Sequence, residues 1–218
     1  MAQQDNQRLK SRADAGQKLA VLLAEWREKK PVVIGMSRGG VPVARELATA
    51  MDAPFHVIVV RRLQVPTDPE RALGAIAEGD GRYFNTQLQQ FSGVSDQELA
   101  TLVKHEEAEL SRLIALYRGG APLPDLAGRT AILVDDGLVT GAAIRAALDA
   151  LRKRSPKHLV VAAGVGLRHT VDGLRKEIGS VVCAVEPARV KSLSHFFTDF
   201  RPVTDADVIA ALTAPPTP

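Results

Sequence analysis

The sequence predicts an α/β fold built on a doubly wound, mainly parallel central sheet with a small hood or insertion. Short, almost uninterrupted apolar runs recur along the chain at Val32–Met36, Phe55–Val60, Thr130–Val134, Lys157–Val165 and Ser180–Val185. Runs without polar alternation suit strands covered on both faces. Helical stretches separate the runs, and this β-then-α alternation is the pattern of a parallel sheet. Two runs lead through glycine into a helix. One continues as Ser37-Arg38-Gly39-Gly40, the other as Asp135-Asp136-Gly137-Leu138-Val139-Thr140-Gly141. In open α/β sheets, ligands gather at such junctions, beyond the carboxyl ends of the strands.

A chain of 218 residues, 45% hydrophobic and 24% charged, suits one globular α/β domain. We therefore expect a single domain over 1–218. Within it, residues 11–29 form an N-terminal helix, 63–120 a flexible loop or hairpin plus a long helix, and 186–218 a C-terminal tail or hood. The net charge of +3 is too small to argue for nucleic acid, and no basic run or basic–aromatic alternation supports one. No apolar stretch is long enough to span a membrane, and the polar N-terminus lacks a signal-peptide core. A cytoplasmic location is the default expectation. The lone Cys183 sits in the apolar run VVCAV and reads as a buried thiol.

Taken in order, residues 1–10 are polar and expected to fray. Leu19, Leu22, Leu23 and Trp26 recur at helical spacing between Asp14 and Lys29, and Pro31 ends that helix. Trp26 reads as a packing residue. Arg61-Arg62 stand at the end of the second run, where strand alternation sends only one of them toward a site. The stretch 63–81 is irregular, broken by Pro66 and Pro69. Within it Leu73–Glu78 pairs with Tyr83–Asn85 as a hairpin, and Glu70 and Glu78 read as surface charge. Ser95-Asp96-Gln97-Glu98 is a capping box opening a helix to about Tyr117. His105 reads as solvated, and no His/Cys/Asp spacing suggests zinc. Phe196, Phe197 and Phe200 cannot all be buried by a strand pattern, and suit a lid or a dimer surface.

The chemistry concentrates at Asp135–Ala143. A strand end, a short turn at Gly137–Gly141 and a helix N-terminus offer free N–H groups and the positive end of a helix dipole to a phosphate. Two adjacent carboxylates suit sugar hydroxyls or a hydrated Mg²⁺. Phosphate, diol and metal together describe a phosphorylated ribose. At the first junction, Gly39 and Gly40 allow close backbone approach to an anion, and Arg38 adds charge.

Val134-Asp135-Asp136-Gly137-Leu138-Val139-Thr140-Gly141-Ala142-Ala143 resembles the 5-phosphoribosyl 1-diphosphate (PRPP) signature of type I phosphoribosyltransferases. The resemblance extends over roughly residues 30–190. The segments DAGQKLA, SRGGVPVARELA, ERALGAIAEG and FTDFRPVTDADV are similar to a bacterial group within that family that has no settled substrate. The resemblance implies Mg²⁺-dependent displacement of pyrophosphate from C1 of PRPP by an acceptor, with a nitrogen nucleophile expected. It implies that Asp135 and Asp136 hold the ribose hydroxyls, directly or through metal-bound water, as catalytic and metal-facing residues. Gly137, Leu138, Val139, Thr140, Gly141, Ala142 and Ala143 would hold the 5-phosphate. Ser37, Arg38, Gly39 and Gly40 would hold the pyrophosphate, in some members through a strained peptide bond, together with Arg62. A hood formed near 63–81 would close over PRPP and exclude water from an oxocarbenium-like C1. The partners implied are PRPP, an unknown small-molecule acceptor and a second copy of the chain as a homodimer.

Two positions depart from the family pattern. Many members carry Thr or Ser where Ala143 stands, which removes a phosphate contact. 6-Oxopurine enzymes carry an acid where Val139 stands, so adenine-like, orotate-like or non-nucleobase acceptors stay open. Alternatives to transfer are a PRPP- or nucleotide-sensing regulator and a phosphohydrolase or phosphorylase using water or phosphate.

Overall fold

The computed structural model describes residues 8–66 and 68–214. Its strands are β1 (Val32–Met36), β2 (Phe55–Ile58), β3 (Val60–Val65), β4 (Asp68–Ala77), β5 (Gly81–Phe84), β6 (Thr130–Leu138), β7 (His158–Gly166) and β8 (Val181–Val185). Its helices are α1 (Arg12–Leu22), α2 (Ala24–Arg27), α3 (Gly40–Met51), α4 (Thr86–Ser92), α5 (Asp96–Arg118), α6 (Ala142–Arg152), α7 (Arg168–Ile178) and α8 (Asp205–Thr213). The chain forms two compact units. The first gathers the described residues up to Val57, Pro124–Val139 and those from Ser155 onward; the second gathers Ile58–Leu123 and Thr140–Arg154.

The first unit carries a five-stranded sheet in the order β2-β1-β6-β7-β8. β1 runs parallel to β6, with Gly35 opposite Val134. β6 runs parallel to β7 as far as Leu138 opposite Gly166, and β7 runs parallel to β8. All of β1 and β6 is buried, which is why Val32–Met36 and Ala131–Val134 are apolar without alternation. Leu19 and Leu23 of the N-terminal region and Leu47 of α3 pack with Ile132, Val134 and Val160 of the sheet into one core. Non-local packing of this kind, rather than helix propensity, fixes α3.

The second unit holds the antiparallel sheet β3-β4-β5, in which Gly74 pairs with Phe84 and Ala77 with Gly81. Leu63, Leu73 and Ile76 of this sheet bury against Val103 of α5. The expected capping box is present: Ser95 Oγ accepts the Glu98 N–H, and Glu98 accepts the Ser95 N–H at 2.9 Å.

Five local readings change. Leu9 is fully buried, and its N–H donates to Phe196 O at 2.8 Å while its carbonyl accepts from Thr198. Residues 8–10 are therefore held by the tail rather than frayed; residues 1–7 of that reading lie outside the described residues. The N-terminal helix is two helices, interrupted at buried Leu23. The run Phe55–Val60 divides at Val59, so Arg61 and Arg62 lie inside β3 rather than at the end of a parallel strand. The residues Val57–Val60 are all buried, so no polar residue marks the bend. Glu78 is buried, not surface charge. It accepts the Val59 N–H at 2.8 Å and is gripped by both Nη atoms of Arg118. The Glu70 side chain lies outside the described residues. Finally, β6 continues through Leu138, so the turn before α6 is only Val139–Gly141. Ladder pairing with β7 and the Leu193 side chain packed on Gly137 hold the extra residues extended.

Candidate active site

The acidic pair and the glycine loop meet within the first unit. β1 and β6 are parallel neighbours with Gly35 opposite Val134, so the Ser37–Gly40 loop leaves the end of β1 beside Asp135-Asp136, which lie where β6 runs on past it. The approach is close enough to require glycine. A Cβ on Gly39 would stand 2.2 Å from Asp136 Oδ2, and one on Gly40 would stand 2.4 Å from Val134 O. The Ser37–Arg38 peptide is cis. Arg38 is half exposed and makes a long 3.4 Å contact with Asp205 at the start of α8. α3 then opens at Gly40 with no side-chain cap.

Asp135 and Asp136 are both buried. Two neighbouring buried carboxylates repel one another unless something compensates. Asp135 Oδ1 accepts the Asp136 N–H at 2.9 Å. Asp136 Oδ2 accepts two donors from Arg12, Nε at 2.9 Å and Nη2 at 2.8 Å. Arg12 is thereby the compensating charge. It is itself held three ways. It is the first residue of α1, which Ser11 caps by accepting the Asp14 N–H. Its guanidinium lies 3.9 Å from the Phe200 ring centroid, a cation–π distance, and Phe200 stacks on buried Phe197 with centroids 4.8 Å apart. Its Nη1 donates to Arg201 O at 2.7 Å. The two tail phenylalanines thus form a wall behind Arg12. Sequence reasoning missed Arg12. Its partner is 124 residues away, and the only local signal was the helix-opening Ser11.

Beside Arg12 lies a cavity of about 410 Å³ lined by Arg12, Pro42, Asp199, Arg201, Pro202 and Asp207, among others. Its charges are balanced. Backbone and side-chain N–H groups of Arg201 hold Asp199 below the usual carboxylate range, and the Thr204 N–H and hydroxyl do the same for Asp207. Both are ionised at neutral pH opposite Arg12 and Arg201.

Beyond Asp136, Gly137 and Leu138 are strand residues, and the Val139 carbonyl accepts the Thr170 hydroxyl at 2.6 Å. The chain passes to the second unit between Val139 and Thr140. There Gly141 takes the left-handed conformation (φ 75°) that admits glycine cheaply, and α6 begins at Ala142 with no side-chain cap. Also in the second unit, Arg61 donates to Glu106 at 2.7 Å, while Arg62 is exposed. Among the described residues, no group of three or more His, Cys, Asp or Glu is placed to hold a metal, and no helix is long and apolar enough to cross a membrane.

The sequence model of the phosphoribosyl transferase domain matches residues 6–195. The chain belongs to that family. Among solved structures this phosphoribosyl transferase domain is similar to TT1426 from Thermus thermophilus, with 34% identity and a TM-score of 0.77 over 94% of this chain and 97% of that one. The purine phosphoribosyltransferase of Pyrococcus horikoshii shares the fold, at 18% identity and a TM-score of 0.51, over 92% of this chain and 98% of that one. A Mycobacterium tuberculosis H37Rv protein named "Putative phosphoribosyl transferase Rv0571c" is 36% identical over 201 residues. That match takes in 92% of this chain but 45% of the relative, so the chain spans about half the length of the curated relatives it matches.

Proposed function

We propose that the chain is a phosphoribosyltransferase domain that binds PRPP with Mg²⁺ and joins a nitrogen nucleophile to C1. The C1–O bond to pyrophosphate breaks, the C1–N bond forms, and the acceptor loses a proton. The observation that carries this reading is the contact of the Gly39–Gly40 backbone, at the end of β1, with Asp135 and Asp136 on the neighbouring β6. It supports a pyrophosphate loop beside a ribose diol site. In this reading Ser37–Gly40 hold the pyrophosphate through backbone N–H groups. Asp135 and Asp136 orient the ribose hydroxyls, and Thr140–Ala143 with the uncapped start of α6 hold the 5-phosphate. Mg²⁺ supplies charge neutralisation at the leaving pyrophosphate. Asp135 and Asp136 would face such an ion through water. The balanced cavity beside Arg12 suits the acceptor, because paired Arg and Asp side chains recognise a neutral polar molecule better than an ion.

Pyrophosphate release from PRPP and Mg²⁺ across a panel of nitrogen acceptors tests the reading. Release should need an acceptor, and the Asp135→Asn/Asp136→Asn variant should lose it by on the order of 100-fold. Retained PRPP binding and release in that variant would remove the site assignment. A PRPP-binding regulator is the second reading, and the Arg12–Asp136 pair favours it, since an occupied carboxylate serves binding without turnover. Tight PRPP binding with no release under any acceptor would select it. Release without acceptor would point to water or phosphate as nucleophile. A homodimer and a cytoplasmic setting complete the proposal, checked by light scattering and by fractionation.

A further inference from the structure

At the other end of the central sheet lies a cavity of about 400 Å³, lined by Lys29, Lys30, Gly128, Arg129, Thr130, Lys157 and His158. These residues immediately precede or begin β1, β6 and β7. The cavity therefore opens at the amino ends of the strands. Along β6, Thr130 and Asp135 are separated by about 17 Å at the usual rise of a parallel strand. The cavity is lined by four cations and a histidine, with no carboxylate among its walls. Among the described residues none of Lys29, Lys30, Arg129 and Lys157 makes an ion pair, whereas Arg12, Arg38, Arg175 and Arg201 of the same unit are all paired with acids. The neighbouring acids in sequence, Glu25, Glu28 and Asp125, do not line it. The cavity beside Arg12 shows the contrast, with two arginines balanced by two aspartates.

Four uncompensated cations around one concavity raise the local positive potential and concentrate anions there. Arginine and lysine together supply a planar fork and flexible point charges, a pairing that suits phosphate oxygens. The His158 ring stands edge-on to Trp26, with centroids 5.7 Å apart, so a flat aromatic surface adjoins the charges. We infer that this cavity is a second anion site, taking a phosphate-bearing ligand of at least two negative charges at the amino end of the sheet. It is independent of the PRPP reading, since none of its residues belongs to the acidic pair or the glycine loop. An anion held there ties the starts of three strands together, and it can report the level of a phosphorylated metabolite without entering the ribose site.

The test follows the backbone amides of Arg129, Thr130, Lys157 and His158 by ¹H–¹⁵N NMR during titration with inorganic pyrophosphate, inorganic phosphate and ADP. Pyrophosphate should shift them saturably. Arg129→Gln/Lys157→Gln should weaken that binding about 100-fold, roughly tenfold for each charge-assisted contact removed. Lys29→Gln should weaken it roughly tenfold, and covers the case in which the double variant does not fold. Asp135→Asn/Asp136→Asn should leave these shifts unchanged, which separates failure here from failure of the ribose-site reading. ADP binding tighter than pyrophosphate marks a nucleotide as the source of the phosphate; equal binding marks a free anion. No saturable shift with any of the three, or identical binding in the charge variants, overturns the inference. Shifts produced only by a single-stranded oligonucleotide overturn it in favour of a nucleic-acid face.

Discussion

Each unit contains a buried carboxylate gripped by an arginine from a distant element, Glu78 by Arg118 and Asp136 by Arg12, and these two pairs differ in what surrounds them. Glu78 and Arg118 have side chains only 5% and 10% exposed, and Glu78 is further satisfied by the Val59 N–H. That pair fixes the bend before β3 to the end of α5. Asp136 and Arg12 are nearly as enclosed, at 12% and 11%. Here, however, the carboxylate lies under the glycine loop, and the arginine borders a cavity. The same chemistry supports a fold in one place and a site in the other. The lesson is that a buried ion pair is weak grounds for function until its neighbours are known.

Breaking the pairs one at a time sharpens this contrast. The largest effect is expected from Arg118→Met, which leaves the Glu78 carboxylate in the interior without its counter-charge. It should cost about 3–5 kcal/mol in urea unfolding, with little change in PRPP affinity for the fraction that stays folded. Arg12→Met should cost less stability, about 1–2 kcal/mol, because water in the adjoining cavity can solvate Asp136. It should instead change the KM for PRPP, and Arg12→Lys should restore only part of that change, since a lysine cannot supply two donors and a stacked plane together. Equal stability losses for the two variants would erase the distinction.

Glycine substitutions give a finer test. Gly39→Ala places a Cβ on the Asp136 carboxylate, 2.2 Å from Oδ2, so it should raise the KM for PRPP by roughly tenfold or more. The nearest atoms that Gly137→Ala meets are those of the Leu193 side chain, 2.4 Å away, which can rotate aside. Its effect should be less than about 1 kcal/mol on stability. Reversal of that order would show that the glycine loop is not seated on the acidic pair.

The smallest effect concerns Cys183. Burial pushes its thiol from 9.0 up to about 12, so at pH 8 almost none is thiolate, the form that reacts. Disulfide reagents should label it only as the first unit opens. Arg12→Met should quicken that labelling more than Arg118→Met does. A raised thiol value also means that the neutral form is favoured in the folded state. Its stabilisation is complete below pH 9 and fades as the pH rises toward 12. Fast labelling of the native protein would contradict the burial of Cys183.

Much of this protein was legible from local sequence. The parallel strands announced themselves because residues buried on both faces must be apolar. The Ser95 capping box was legible because caps act within one turn. The acidic pair and the glycine loop were each visible, since phosphate and diol chemistry demand those residue types at a strand end. What local sequence could not carry was any interaction closed by distant residues. Val59 ends one strand inside a continuous apolar run, and only Glu78 accepting its N–H explains the bend. Leu9 looked like part of a polar tail until Phe196 and Thr198 paired with it. Arg12 is one arginine among many in the sequence. Tertiary structure alone placed it on Asp136, because the N-terminal segment pairs with the tail and the Phe197–Phe200 stack fixes its guanidinium plane. The sequence by itself determined which backbone elements form and what chemistry their ends could offer. Which charges meet was decided only when distant chain segments closed on one another, 40 residues apart for Arg118 and Glu78 and 124 for Arg12 and Asp136, since the energy of an ion pair depends on distance and burial in space, not on position along the chain.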